Sequence, residues 1–363
     1  MSDNIPYDIQ VDILKKLPVK SLIQFRSICK AWKSLVDSAD FVKHYRGQMQ
    51  HLLVSYYEHS YSFGRKYVSI ADDDTFPQKK VPLTNPMSLN NPRLIGTSHG
   101  LLCLYSYSDD MVVIWNLCIR KVVAVVLYNV EHDAGSWDYL GFGVCRETND
   151  PKIIRITSVT WCDINGLSYV PWQVEVFPLS TGAWRTPFST NFPSKSIYFR
   201  FENYDQVVID GVHYWLANDI SCNLIFSFDM TREEFSEINL PDGLAHKSDY
   251  TLSMSKLRES LVVLDRDDDE MVFVVWMMED GVSKTFTKPF TINYNTPDAL
   301  YFVLGFRKTG EAIIEGRRQL FVYEPYSKHI KNFGIDGKYY DFFVHSYMET
   351  LILLDQPNLR VFN

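Results

Sequence analysis

The chain has 363 residues, 46% apolar and 15% aromatic, enough material for a large core and about two domains. Its net charge is −8; residues 1–50 hold eight Lys/Arg and five Asp, a net of +3, so the rest carries −11. That acidic body argues against nucleic acid as a partner, since replacing counterions needs basic surface, and no apolar run approaches the roughly 20 residues that span a bilayer, so neither nucleic acid nor membrane is expected as a partner.

The first predicted elements are short helices. Pro6 suits the first turn of a helix, with Asp3 or Asn4 as cap. Ile9, Ile13 and Leu17 recur every four residues with Leu14 beside them, giving one apolar stripe. Pro18 ends that helix and starts the next. Leu22, Phe25 and Cys29 make a second stripe; Trp32, Leu35 and Val36 make a third. Helices this short cannot bury all of these side chains among themselves. Apolar surface left over in this way marks a partner site.

The order of these residues resembles an F-box. The matching positions are Ile5-Pro6, Ile13-Leu14, Leu17-Pro18, Val19, Leu22, Phe25-Arg26 and Lys30-Ala31-Trp32, followed by Phe41. The resemblance implies a helical adaptor over residues 1–48 that binds a Skp-type adaptor and through it a cullin. Ile5, Pro6, Ile9, Ile13, Leu14, Leu17, Pro18, Val19, Leu22, Phe25 and Trp32 would bind the adaptor, with Leu17-Pro18 and Trp32 in the contact or directly bracing it.

Residues 49–363 change character. Helical periodicity fades, and short β-rich runs follow, punctuated by glycine, asparagine and aspartate. Gly100–Leu104 is expected to pair with Val113–Asn116. Units begin near Leu94, Leu140, Val207, Thr251, Tyr301 and Asp341, close to the four-stranded blade period of propellers. The expected fold is an N-terminal all-α unit followed by an all-β propeller of six blades; a β-sandwich body is the alternative. The last unit, with 342–347, 351–354 and 359–362, is short of strands, whereas 52–57 and 67–70 lack partners. Joining the two groups would close the ring and hide its edges.

This body resembles the plant F-box-associated domain, which is kelch-like. The matching stretches are Gly100–Leu104, Gly141-Phe142-Gly143 with Glu147–Asp150, Val174–Phe177, Ser227-Phe228-Asp229, Trp276-Met277-Met278 and Leu304-Gly305-Phe306. Leu117, Pro151 and Tyr214 depart from the residues common there, and no Gly-Gly doublet marks the blades. The resemblance implies a substrate-recognition subunit of a cullin–Skp–F-box ubiquitin ligase. The alternative is a Skp-binding interaction module without degradation activity.

The candidate chemistry is sparse. Asp265, Asp267, Asp268, Asp269 and Glu270 lack the spacing and glycine of a calcium loop and read as a solvated turn, as do Asp72–Asp74. His213 reads as a packed or hydrogen-bonded strand residue. Trp115, Trp184 and Trp215 read as core. Gly141-Phe142-Gly143 precedes no phosphate-loop helix, and Ser253 and Ser255 lack a nucleophile-elbow context. The six cysteines form no C-x-x-C pair and read as mostly buried reduced thiols rather than zinc ligands. A non-catalytic receptor with no cofactor and no metal is therefore expected. With no signal-peptide core at the N-terminus, it is expected in the cytosol or nucleus.

The target site follows from the connections. Thr148–Asp150, Thr181-Gly182, Asp210-Gly211, Asp280-Gly281 and Thr309-Gly310 suit tight hairpin turns on one face. The long connections 130–139, 161–171, 187–205, 241–250 and 293–300 should emerge on the other. They carry Trp137, Trp161, Tyr169, Tyr198, Arg200 and Tyr204, the residue types favoured as binding anchors.

Overall fold

The computed structural model describes residues 5–362, except 59–63, 85–86, 88, 90–91, 128–135, 164–165, 170–171, 190–196, 200–205, 220, 249, 280, 282–283, 294–299, 340 and 358. The chain opens with α1 Tyr7–Lys15, α2 Val19–Arg26, α3 Lys30–Val36 and α4 Ala39–His44. Pro6 and Pro18 are the N-cap residues of α1 and α2, one position earlier than a first-turn proline. The fourth helix was not expected. Ser38 starts it by accepting the Phe41 backbone N–H.

Six sheets follow, arranged as six blades. Blade 1 contains β1 Gln50–Tyr56, β2 Lys66–Ala71 and β3 Lys80–Leu83. Blade 2 is β4 Arg93–Ser98, β5 Leu101–Ser106, β6 Met111–Asn116 and β7 Lys121–Val126. Blade 3 is β8 Ser136–Val144, β9 Pro151–Asp163, β10 Gly166–Tyr169 and β11 Gln173–Pro178, with Arg185 bridged to Val176 where a fourth strand would lie. Blade 4 is β12 Tyr198–Phe199, β13 Gln206–Ile209, β14 Val212–Asn218, β15 Asn223–Asp229 and β16 Glu234–Asn239, followed by α5 Asp242–Ala245. Blade 5 is β17 Leu252–Leu257, β18 Ser260–Asp267, β19 Val272–Met278 and β20 Phe286–Asn293. Blade 6 is β21 Leu300–Phe306, β22 Ala312–Gly316, β23 Gln319–Tyr323 and β24 Ile330–Asp336.

The strands β25 Phe343–Met348 and β26 Leu359–Phe362 end the chain. β25 pairs antiparallel with β1, with Leu53 opposite His345 and Val54 opposite Val344. The ring therefore closes with one C-terminal strand inside three N-terminal ones, as the unpaired strands required. β26 does not join it. It runs parallel to β7 on the outer edge of blade 2, with Arg360 opposite Val123. Leu351–Leu354, expected as a strand, begins a turn instead.

The blades are buried on both faces, which explains why many strands read as continuous apolar runs rather than alternating ones. One buried cluster fills each seam between neighbouring blades. Ile114 and Phe142 meet between blades 2 and 3, Ile156 and Phe226 between 3 and 4, and Leu216 and Val263 between 4 and 5. Val262 and Ile314 meet between 5 and 6, Val54 and Ile313 between 6 and 1, and Leu53 and Leu104 between 1 and 2. Trp115 and Trp215 are buried in these seams and Trp184 packs against one, as expected of core.

Two aspartates expected in solvated turns are buried. Asp72 is fully enclosed, with Arg307 Nε 2.8 Å from its Oδ1 and the Lys308 N–H donating to Oδ2 at 2.8 Å. It ties blade 1 to blade 6. Asp265 is buried beside Lys247 Nζ at 3.2 Å, and burial raises its carboxyl above the usual range despite that cation.

Candidate interaction surfaces

The first-to-second and third-to-fourth strand turns share one face of the ring, and the helices sit on that face. Leu14, Val19, Leu22, Leu35, Val36, Phe41 and Tyr45 form one cluster with Leu351 and Leu354, against which Cys118 and Ile119 pack. Polar contacts lock the junction. The Val19 N–H donates to Glu349 Oε2 at 3.0 Å, and the Gly47 N–H to the Glu349 carbonyl at 3.1 Å. Asn149 Nδ2 donates to the Lys43 carbonyl at 2.9 Å, and Tyr45 Oη to that of Leu17 at 2.8 Å. Gly47 is needed here, because a Cβ would lie 2.7 Å from the Glu349 nitrogen. Burial, aided by Glu349, raises the Tyr45 hydroxyl, and burial pushes the Cys118 thiol up to about 12, so both stay neutral inside the junction.

This arrangement divides the residues expected at the adaptor contact. Leu14, Val19 and Leu22 are buried in the junction, so they brace the helices and present no surface; an i, i+4 stripe does not say which side of a helix the ring will cover. Leu17, Phe25 and Trp32 are half-buried, with the Phe25 and Trp32 rings edge-on at 4.9 Å. Ile5, Ile9 and Ile13 are 43%, 50% and 49% exposed, and Pro6 and Pro18 are exposed beside them. Tyr7 and Ile28, which the spacing did not single out, are more exposed still, at 62% and 64%. A set of large apolar side chains is thus left outside the core on a rigidly docked cap. Arg26 and Lys33 both bond Asp37 and stiffen it; burial works against the Asp37 carboxylate, but these cations outweigh it and hold its pKa below the usual range.

The second-to-third strand turns and the links between blades lie on the far face. The residues expected to anchor a target fall there unevenly. Trp137 belongs to β8, Trp161 to β9 and Tyr169 to β10, so 161–171 is largely a strand pair, with Ser168 opposite Trp161, and not an open loop. Among the described residues β8 pairs with β9 as far as Ser136 opposite Val159, and β9 continues with β10 as a two-stranded arm to Asp163 opposite Gly166. Tyr198 is a half-buried residue of β12 paired with Asn218. Arg200 and Tyr204 lie outside the described residues. Tyr107 and Tyr250, 79% and 95% exposed in far-face connections, were not singled out, although a tyrosine beside Ser/Asp turn residues is a visible signal.

An axial cavity of about 360 Å3 runs between the innermost strands, past Gly96, Val208, Met254, Leu304 and His345. Tyr45 and Arg46 reach its near mouth, beside His99, Asp210 and Glu259. Burial pushes the His345 imidazole down to about 4, so it is neutral at pH 7. His213 is buried in β14, as expected, with Nδ1 3.1 Å from both the nitrogen and the oxygen of Phe142; burial pushes it down to about 4.

Comparison with known families accords with both parts. The family model described as "F-box domain" matches residues 2–44, and that described as "F-box associated beta propeller domain" matches residues 61–351. The chain belongs to the F-box associated β-propeller family. Two Arabidopsis thaliana relatives illustrate it. F-box protein CPR1 is 25% identical over 79% of this chain and 73% of that protein. F-box protein At2g34280 is 25% identical over 97% of each. This chain therefore carries an F-box ahead of a six-blade propeller, and the β-sandwich alternative is set aside.

Proposed function

We propose that this protein is the substrate-recognition subunit of a cullin–Skp–F-box ubiquitin ligase, acting without chemistry of its own in the cytoplasm or nucleus. The observation that carries this reading is the ridge of Ile9 and Ile13, with Ile5 ahead of it, apolar and exposed on a cap whose other side is buried against the ring. A Skp-type adaptor covers the ridge and links it to a cullin. The far face, with the β9–β10 arm, grips a target protein. The subunit raises the target's effective concentration at a ubiquitin-charged enzyme. The rigid junction supports this role, because positioning requires that cap and ring move as one body.

The test is a full-length variant carrying Ile9→Lys and Ile13→Lys. Each buried isoleucine contributes about 1.5–3 kcal/mol, so capture of a Skp-type adaptor should weaken at least 100-fold, while the melting temperature stays within a degree or two. Unchanged capture would sink the reading. Capture of the adaptor by the unaltered chain without co-purifying cullin would favour an interaction module that does not promote degradation.

A further inference from the structure

Among the described residues, Arg317 and Arg318 are the only consecutive non-glycine residues with positive φ, at 41° and 71°. They are the whole turn between β22 and β23, since Gly316 pairs with Gln319. Two positive φ values in a two-residue hairpin define a type I′ turn, which a small polar residue followed by glycine normally supplies. This chain uses that solution at Asp210-Gly211, with φ 45° and 72°, and a glycine second at His99-Gly100. Arginine at both positions crowds each Cβ against its own backbone. Both arginines are exposed. Strain kept at an exposed turn points to a use for the side chains.

The turn lies on the far face and is stitched to two neighbouring connections. The Gly337 N–H donates to the Arg318 carbonyl at 2.9 Å, and the Lys338 N–H to that of Tyr57 at 2.9 Å. Arg65 Nη1 donates to the Asp341 carbonyl at 2.9 Å. Aromatic rings underlie the cations: the Arg318 guanidinium sits 4.8 Å from the Tyr339 ring centre, Arg65 4.8 Å from Tyr57, and Lys338 Nζ 5.4 Å from Tyr57. Arg65 also lies over Phe343, at the far end of the innermost closing strand, so the patch reaches from the rim to the axial cavity. Arg317, Arg318, Arg65 and Lys338, with Lys66 beside them, face three nearby carboxylates, Glu58, Asp336 and Asp341, of which Glu58 is paired with Lys66 at 2.5 Å, on a body whose net charge is −11. Gln319 donates to Asp336, and Arg65 lies 3.9 Å from Asp341.

We propose that this patch between blades 6 and 1 binds a phosphorylated serine or threonine in a segment of the target protein. The proposal rests on the receptor reading, in that the segment belongs to the captured target. A phosphate monoester carries nearly two charges and three acceptor oxygens. Two adjacent guanidinium forks can share it, whereas one carboxylate satisfies only one fork. A nucleic-acid backbone fits less well: the equivalent turn of neighbouring blade 5 carries Asp267, Asp268, Asp269 and Glu270 on the same face and would repel continuous phosphates.

The test uses the full chain and three fluorescent probes at physiological salt: a degenerate peptide pool centred on phosphoserine, the same pool with serine, and a single-stranded oligonucleotide of similar length. The deciding variant is Arg317→Asn with Arg318→Gly, which supplies the normal residues of this turn and should melt no lower than the parent. Binding of the phosphoserine pool should fall at least ten-fold in that variant, and the serine pool should bind the parent at least ten-fold more weakly. Lys338→Gln should cost a few-fold. Equal binding by parent and variant, equal binding of the two pools, no saturable binding, or tighter binding of the oligonucleotide would each overturn the proposal. Adaptor capture is measured alongside: its loss in the parent would count against the receptor reading alone, and its retention with no phosphoserine binding would count against this site alone.

Discussion

The cap and the ring handle the same kind of residue in opposite ways. In the ring, each blade has a neighbour on both sides, and large apolar side chains disappear into the seams: Phe142, Phe226 and Phe342 are essentially fully buried. In the cap, α1 to α4 have a neighbour on one side only. Leu14, Val19 and Leu22 enter the junction, while Ile9 and Ile13 on the same helix as Leu14 stay half exposed. Closure is what the ring's architecture provides and the cap's lacks. An apolar residue is core where the topology brings a second layer, and a docking surface where it does not.

Two truncations should sharpen this comparison. Removing residues 1–48 uncovers Leu351 and Leu354 but leaves all six sheets. Removing 1–75 also strips β1, β2 and Asp72, and with them Leu52, Leu53, Val54, Val68 and Ile70. At about 1.5–3 kcal/mol for each large side chain, that loss rivals the roughly 5–15 kcal/mol stability of a whole domain. The shorter deletion should melt cooperatively below the full chain, and the longer one should show no cooperative melt. Equal melting temperatures would show that the N-terminal strands do not close the ring.

A smaller effect separates the two ion clusters. Asp72→Ala would leave buried Arg307 with Glu311 as its remaining carboxylate and remove one charged hydrogen bond between blades 1 and 6, which costs about 1.5–3 kcal/mol. Asp37→Ala breaks the contacts to Arg26 and Lys33 on the cap, where the side chains stay a quarter or more exposed, so about 1 kcal/mol or less is expected. Denaturant titration of both variants checks this. Comparable losses would mean that the cap's surface network matters as much as ring closure.

Much of this was legible because helix and strand periods differ so sharply on either side of residue 50. The two prolines, the four-residue spacing of Ile9, Ile13 and Leu17, and the turn pairs such as Asp210-Gly211 are local signals, and each found its element. α4 was missed although Ser38 is an ordinary helix start, because only Phe41 marks an apolar stripe in so short a helix. β10 had a signal in the glycine that opens it, Gly166 opposite Asp163, obscured by reading the aromatics around it as loop anchors. Leu351–Leu354 misled because four apolar residues suit a strand and a buried turn alike. Asp72 was beyond reach: its partner Arg307 is 235 residues away, and nothing local distinguishes it from the more exposed Asp73 and Asp74. The exposed side of α1 was equally hidden, since which face the ring covers is a tertiary fact.

Acid should act on the ring before the cap, and this is the subtlest of the contrasts. Burial holds His213 neutral with a folded pKa of about 4, against about 6.5 in the unfolded chain. Between these values the unfolded state binds the extra proton. The stability tied to the neutral ring is therefore fully present above pH 6.5 and is lost progressively as pH falls toward 4. The gap corresponds to something on the order of 3 kcal/mol. His345 is pushed down to a similar value, but it faces the axial cavity, where water screens the added charge, so its share is smaller. Asp37 behaves differently. Burial opposes its carboxylate, but Arg26 and Lys33 prevail and lower its folded pKa, so its contribution survives until pH drops below the ordinary carboxylate range. Melting temperatures between pH 7 and 4 should therefore fall for the full chain and fall by at most half as much for His213→Gln, whose amide can still meet the Phe142 backbone. An unchanged slope in that variant would place the acid sensitivity elsewhere.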